Sequence, residues 1–400
     1  MRKMYFLLIA ILFISVPLHS QWMWNAEKMK TIKNSLQSAN YRLAYRDLLA
    51  DANRALAEGN YSVTYKEGIA PSGNKHDYVS LSRYAWPNPD KPGGLPYIMK
   101  DGQSNPELEK YDRNPLGNMA TSVMNLSLAY YYSSQEQYAK KAIELLRVWF
   151  INKDTRMNPH LNYAQFVPGT NGNKGRAAGL IDSYSFVKML NAVLLLEKSP
   201  SYTKQDKIAL QKWFTDFSIW WQTADQAVSE RNSTNNHGLA YDIQLTTYLL
   251  FAGDIDGAMK IIKAFPAGRL YAQIEPDGKQ PRELRRTLAF HYSVYNIQFM
   301  VDMLATAQNL GIDNLKAPSS DGRSLYKAVD FLTPYLGKSL SDWPYQQISG
   351  WDGALQSLCT ELFRISSIDS ARTDYFELYK KYGKSSEVDR NRLIYGIDGK

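Results

Sequence analysis

Residues 119–130 read MATSVMNLSLAY, and in them Met119, Val123, Leu126 and Tyr130 recur at spacings of four, three and four. Mixed threes and fours follow the turn of a helix rather than the two-residue alternation of a strand, so the stretch predicts an amphipathic helix. Ala142, Leu145, Leu146, Trp149 and Phe150 outline a second apolar stripe of the same kind. Outward from these two, helices are predicted over about 25–57, 177–198, 204–223, 238–252, 254–264, 286–310, 322–337 and 352–367, and strand-like alternation is scarce. The fold class is therefore all-α. Helices joined by short loops form helical hairpins, and enough hairpins in one chain close partly into an α/α toroid around a central cleft. A helical solenoid would need a fixed-period repeat, and none is visible.

Two stretches break the helical rhythm. One runs from about Gly59 to Gly117 and holds His76-Asp77-Tyr78, Arg83-Tyr84-Ala85-Trp86-Pro87 and Lys91-Pro92-Gly93-Gly94. The other, Asn152 to Gly175, holds Asn158-Pro159-His160-Leu161-Asn162-Tyr163-Ala164-Gln165. Compact folds rarely keep long irregular loops without a use for them. The mixture of aromatic, amide and basic side chains suits a cleft for sugar acids, or the lid over one.

At the start of the chain, Arg2 and Lys3 precede an apolar run from Tyr5 to Val16 and a small residue at Ser20. That is the layout of a signal peptide over residues 1–20. The run is too short to span a bilayer, and no later segment is apolar for that long, so a periplasmic or secreted protein without stable membrane insertion is expected. The lone Cys359 rules out an intrachain disulfide and a cysteine metal cluster, and it falls on a core position of a predicted helix. The net charge of +8 is a mild bias towards an anionic partner. Nucleic acid is not expected for an exported chain without basic runs. His76, His160, His237 and His291 show no metal-ligand spacing, so neither a metal nor another cofactor is predicted. Oligomeric state is left open.

Two polar clusters carry chemistry. Asn232-Ser233-Thr234-Asn235-Asn236-His237-Gly238 sits at the entry of a predicted helix, where caps of this composition are ordinary. In Arg285-Arg286-Thr287-Leu288-Ala289-Phe290-His291-Tyr292, Arg285 and Tyr292 are two turns apart and share a face if the helix already includes residue 285. If it starts later, Arg286 is the one aimed inward. His291 points about 100° from Tyr292 and reads as structural. Trp343, Trp351 and Asp352 fit either a sugar-stacking rim or a helix-entry turn with a core tryptophan.

Taken together, His76 to Pro87, Asn158 to Gln165, Asn235 to Gly238 and Arg285 to Tyr292 make the chain resemble the alginate lyase family of polysaccharide lyases, with its mannuronate- and glucuronate-cleaving relatives. The resemblance spans most of the chain beyond the leader and implies one catalytic α/α toroid over 21–400, acting on an anionic polysaccharide. It implies that Asn236, His237, Arg285 or Arg286, and Tyr292 surround the uronate at the cleavage point. Substrate contacts are expected from Tyr78, Arg83, Tyr84, Trp86, His160, Asn162, Tyr163 and Gln165.

These residue types suit β-elimination. The proton at C5 of a uronate lies beside a carboxylate whose charge resists a carbanion, so Asn236, His237 and an arginine are expected to hold that carboxylate. Tyr292 then accepts the proton, with the arginine expected to lower its ordinary value of about 10. In mannuronate the C5 hydrogen and the departing O4 lie on one side of the ring, and one tyrosine can serve both; in guluronate His237 would be the base and Tyr292 the acid. Polymannuronate is the expected substrate and glucuronan the alternative. A glycoside hydrolase would need two carboxylates astride the bond, with Asp182, Glu283 and Asp352 as candidates. A non-catalytic polyuronate-binding protein is the third reading.

Overall fold

The computed structural model describes residues 21–384 and 386–396, so the predicted leader over 1–20 lies outside the described residues. The helices are α1 (Ala26–Asn34), α2 (Arg42–Ala57), α3 (Arg113–Ser133), α4 (Glu136–Leu146), α5 (Ser185–Val193), α6 (Lys204–Thr223), α7 (Asp225–Arg231), α8 (Asn236–Ala252), α9 (Ile255–Phe265), α10 (Tyr271–Gln273), α11 (Pro281–Leu284), α12 (Ala289–Asn309), α13 (Leu325–Leu332), α14 (Trp351–Ile368), α15 (Thr373–Tyr382) and α16 (Arg392–Tyr395). The single helix expected over 25–57 is two, because Ser35, Ser38 and Asn40 crowd the junction with side chains that compete for backbone hydrogen bonds.

Around the molecule, α3, α5, α8, α12 and α14 touch one another in chain order, while α4, α6, α9 and α15 pack against their outer sides. Helix α16 lies against both α14 and α2, and α2 returns to α3. The result is an all-α, incompletely closed α/α toroid. Burial follows the layer. The outer α9 buries only Ala258, Ile262 and Phe265, one stripe, whereas α8 and α12 are buried on nearly every side. Cys359 is in the core, and burial pushes its thiol up to about 11.

One expectation is corrected here: the stretch Asn171–Lys198 is long and apolar enough, by composition, to cross a membrane. Its most apolar window is 72% buried inside the protein, as expected of a core segment.

The two irregular loops are joined to each other. Strand β1 (Val79–Leu81) of the first pairs in parallel with β4 (Tyr163–Phe166) of the second, and β2 (Ala85–Trp86) pairs antiparallel with β3 (Ile98–Met99) to make a small flap. Asp77 ties the same loops through Ser72 at 2.6 Å, Asn158 at 2.6 Å and His160 at 3.1 Å. Both loops thereby face the ends of α8 and α12 across one cavity.

Candidate active site

Helix α8 starts at Asn236 because Asn235 caps it, its side chain accepting from the His237 backbone N–H at 3.3 Å. Gly238 is required in that turn, since a Cβ there would overlap the Ser233 carbonyl oxygen. The buried Asn236 is held by Glu283 of α11, which accepts from its backbone N–H at 2.8 Å and from its side-chain Nδ2 at 2.7 Å. Burial raises the Glu283 carboxyl above its usual range, and the two bonds from Asn236 oppose this. The His237 ring has Nδ1 2.5 Å from Oε1 of Glu230, a carboxylate on α7 that is 2% exposed. With Nδ1 held there, Nε2 is the nitrogen left for the cavity.

Helix α12 begins only at Ala289, after a turn over 285–288 in which Leu288 bridges to Gln347. Arg285 therefore stands outside the helix and is exposed, and the two-turn argument that placed it with Tyr292 fails. Arg286 is the residue that turns inward. Its guanidinium lies 3.7 Å from the centroid of the Tyr292 ring and is held by Asp101 at 2.7 Å and 3.3 Å, while Thr287 donates to the same carboxylate at 2.9 Å. The Tyr292 hydroxyl is 2.8 Å from that of Tyr84 in the flap loop.

Tyr292 does not have the lowered pKa expected of it. It is 8% exposed, and burial moves its phenol well above the ordinary value; the hydrogen bond with Tyr84 adds to this, and Arg286 opposes without overcoming it. Beside it, His291 is pulled down by burial, then by Arg83 and Arg286.

Arg83, Tyr84, Gln165, Asn236, His237, Arg286 and Tyr292 line one cavity of about 410 Å³, joined by Arg113, Arg176 and His291. Asp101 is the carboxylate in that lining, against four guanidiniums. The lining carries an excess of positive charge, which suits an anion.

The other expected contacts lie elsewhere. Tyr78 is fully buried and donates to Asp182 at 3.0 Å, so it reaches no ligand. Trp86 lies outside the cavity and donates to the Gln103 carbonyl at 2.9 Å, and His160 serves Asp77. Asn162, which accepts from Trp220 at 3.0 Å, and Tyr163 line a neighbouring groove of about 650 Å³. Trp343 and Trp351 pack on Phe290 as core rings rather than as a rim.

The hydrolase candidates are occupied or remote. Asp182 accepts from Tyr78, from Ser80 at 2.5 Å and from Gln165 at 2.8 Å, and it pairs with Arg113 at 3.0 Å. Glu283 is taken by Asn236, and Asp352 is exposed in the first turn of α14. No two of them face each other across the cavity. Glu230, Asp101, Arg113 and Arg176 are the site residues that sequence reasoning missed. Glu230 lies in a short helix without an apolar stripe, and the arginines carry no local motif.

A family model described as alginate lyase matches residues 62–343. The crystal structure of an alginate lyase from Bacteroides ovatus is 47% identical, covers 95% of this chain and 100% of its own, and superposes with a TM-score of 0.92. An alginate lyase A1-III variant complexed with a tetrasaccharide is 16% identical, with 84% of this chain and 86% of its own covered and a TM-score of 0.56, a likeness of fold alone. No protein among the curated sequences matches the chain.

Proposed function

Because the chain belongs to the alginate lyase family and is a polysaccharide lyase, we propose that it cleaves polymannuronate by metal-independent syn β-elimination at the cavity of Asn236, His237, Arg286 and Tyr292. The observation that carries this reading is the Arg286 guanidinium stacked on the Tyr292 ring in an arginine-rich cavity. Asn236 Nδ2, His237 Nε2 and Arg286 are the donors that hold the uronate carboxylate and the charge that builds on it as C5 loses its proton. Glu283 and Glu230 fix the first two from behind. Tyr292 takes the C5 proton and returns it to O4, breaking the C4–O4 bond and leaving a 4,5-unsaturated end. Its phenol must first give up its own proton to solvent, and the Arg286 guanidinium against its ring favours the phenolate that remains. Residues 1–20 support export.

A second reading rests on a specific observation: a phenol that keeps its proton so firmly is suited to be the acid. His237, with Nδ1 held by Glu230 and Nε2 facing the cavity, would then be the base, in anti elimination of guluronate. Purified protein assayed for ultraviolet-absorbing unsaturated product on polymannuronate, polyguluronate and glucuronan separates the two. Tyr292→Phe is expected to abolish turnover on polymannuronate while binding of a saturated oligomannuronate persists. Substantial residual activity in that variant would remove Tyr292 from the mechanism, and faster cleavage of polyguluronate would hand the base role to His237.

A further inference from the structure

Arg176 sits where the cavity of Tyr292 meets the 650 Å³ groove, and it lines both. Its backbone is locked in place. The Gly175 N–H donates to the Asn162 carbonyl at 2.8 Å and the Arg176 N–H to the Ala164 carbonyl at 3.0 Å, with Gly175 so close to β4 that a Cβ would lie 2.6 Å from the Ala164 nitrogen. Its side chain is far less satisfied. One terminal nitrogen donates to Gln165 Oε1 at 3.3 Å, Nε is buried with no partner, and no ion pair to Arg176 occurs among the described residues.

That sets it apart from Arg113 and Arg286 in the same cavity. Arg113, Arg147, Arg286 and Arg364 each lie against a carboxylate that favours their charge. Burial instead pulls the Arg176 guanidinium below its ordinary value, and Asp182 and Glu230 oppose this without overcoming it. A guanidinium drawn out of water without a counter-charge is unfavourable, and one kept at a cleft is kept for an anion. The groove beyond it offers what a sugar acid needs. Tyr163 lies two residues along β4 from Gln165, and Lys174, Gln226 and Ser229 supply donors, against one exposed carboxylate, Asp225.

We propose that Arg176 clamps the carboxylate of the uronate adjoining the one being cleaved, in a second subsite running from Gln165 into this groove, so that the enzyme requires neighbouring charged sugars. This rests on the polyuronate-lyase reading above. The Gln165 side-chain oxygen accepts from one terminal nitrogen, and the side chain lines both the cavity and the groove where the incoming group would lie.

The test compares full-length wild type, Arg176→Met and Arg176→Lys on saturated oligomannuronates from trimer to hexamer. For wild type, kcat/KM is expected to climb as added units fill the groove. Arg176→Met should raise KM by roughly 10- to 100-fold on the longer substrates with a smaller change in kcat, as loss of a charged hydrogen bond predicts. Arg176→Lys should recover part of that loss and keep more of the salt dependence of KM. An unchanged KM in a folded Arg176→Met protein overturns the clamp; so does a fall in kcat with KM unmoved, which would make Arg176 a prop for Gln165. If the methionine variant does not fold, Arg176→Gln takes its place, and a folded glutamine variant with wild-type KM and wild-type salt dependence overturns the clamp equally. Absence of unsaturated product from wild type on every polyuronate would defeat the lyase reading instead. Calorimetric binding of oligomannuronates to wild type and variant then still reads the clamp.

Discussion

Arg285 and Arg286 are chemically identical neighbours, and the backbone turn between them decides their worth. Arg286 is stacked on the Tyr292 ring and held by Asp101, while Arg285 stands in solvent. Arg286→Ala should lower kcat/KM by about 10²- to 10³-fold, the scale of a lost charge-stabilising donor. Arg285→Ala should change it by less than about threefold, as for a surface group; equal losses in steady-state assays would remove the distinction. Tyr84 is the second residue with a readable consequence. Its hydroxyl helps to hold the Tyr292 proton, so with Tyr292 as the base Tyr84→Phe should shift the rising limb of the kcat/KM profile to lower pH, and a limb that stays or moves up refutes this. Asn236, His237 and Tyr292 could be picked out in the sequence because short motifs carry them, and the fold brings them to one cavity. The choice between the arginines was not, because it hangs on where a helix begins, and that is set by Leu288 pairing with Gln347, some sixty residues on. Glu230 and Asp101 were invisible for the same reason, being partners brought in by the fold.

Among the elements, the loops around the cavity depend on the buried Asp77, which bonds Ser72, Asn158 and His160. Burial alone would raise its carboxyl, but those bonds outweigh burial and bring it from 3.8 down to about 2. A carboxylate depressed on folding adds stability that is present above its unfolded value and is lost as pH falls towards the folded one. Asp77→Asn should therefore lower the melting temperature at neutral pH and flatten its decline between about pH 4 and pH 2. A variant whose acid limb matches wild type would show that the loops are held otherwise. Long helices such as α6 were legible almost to the residue. The short α7 and the outer α15 were not, since a few turns carry too few apolar positions to set a period. The β1–β4 pairing joins residues far apart in sequence and leaves no alternation to read.

For the molecule as a whole, ring closure is fastened by a buried ionic cluster. Arg364 of α14 pairs with Asp302 of α12, with Glu361 at 2.8 Å and with the Tyr395 hydroxyl of α16 at 3.0 Å, and Tyr184 also donates to Asp302. Arg364→Met would strand two buried carboxylates, a loss of about 3–5 kcal/mol measurable by denaturant titration. A loss under about 1 kcal/mol would mean that the seam holds without the cluster. The toroid was legible as a class, but its closing seam was not, because no local pattern joins α16 to α2. The same long-range logic governs what may enter the centre. Arg286, the cation offered to a substrate, is already satisfied by Asp101 from the flap loop. Any guest that moves Asp101 aside must bring an anion of its own or leave that cation bare. Under the proposed function an uncharged glycan brings none, and selectivity would then be exercised at admission, before any bond is broken, as much as in the reaction.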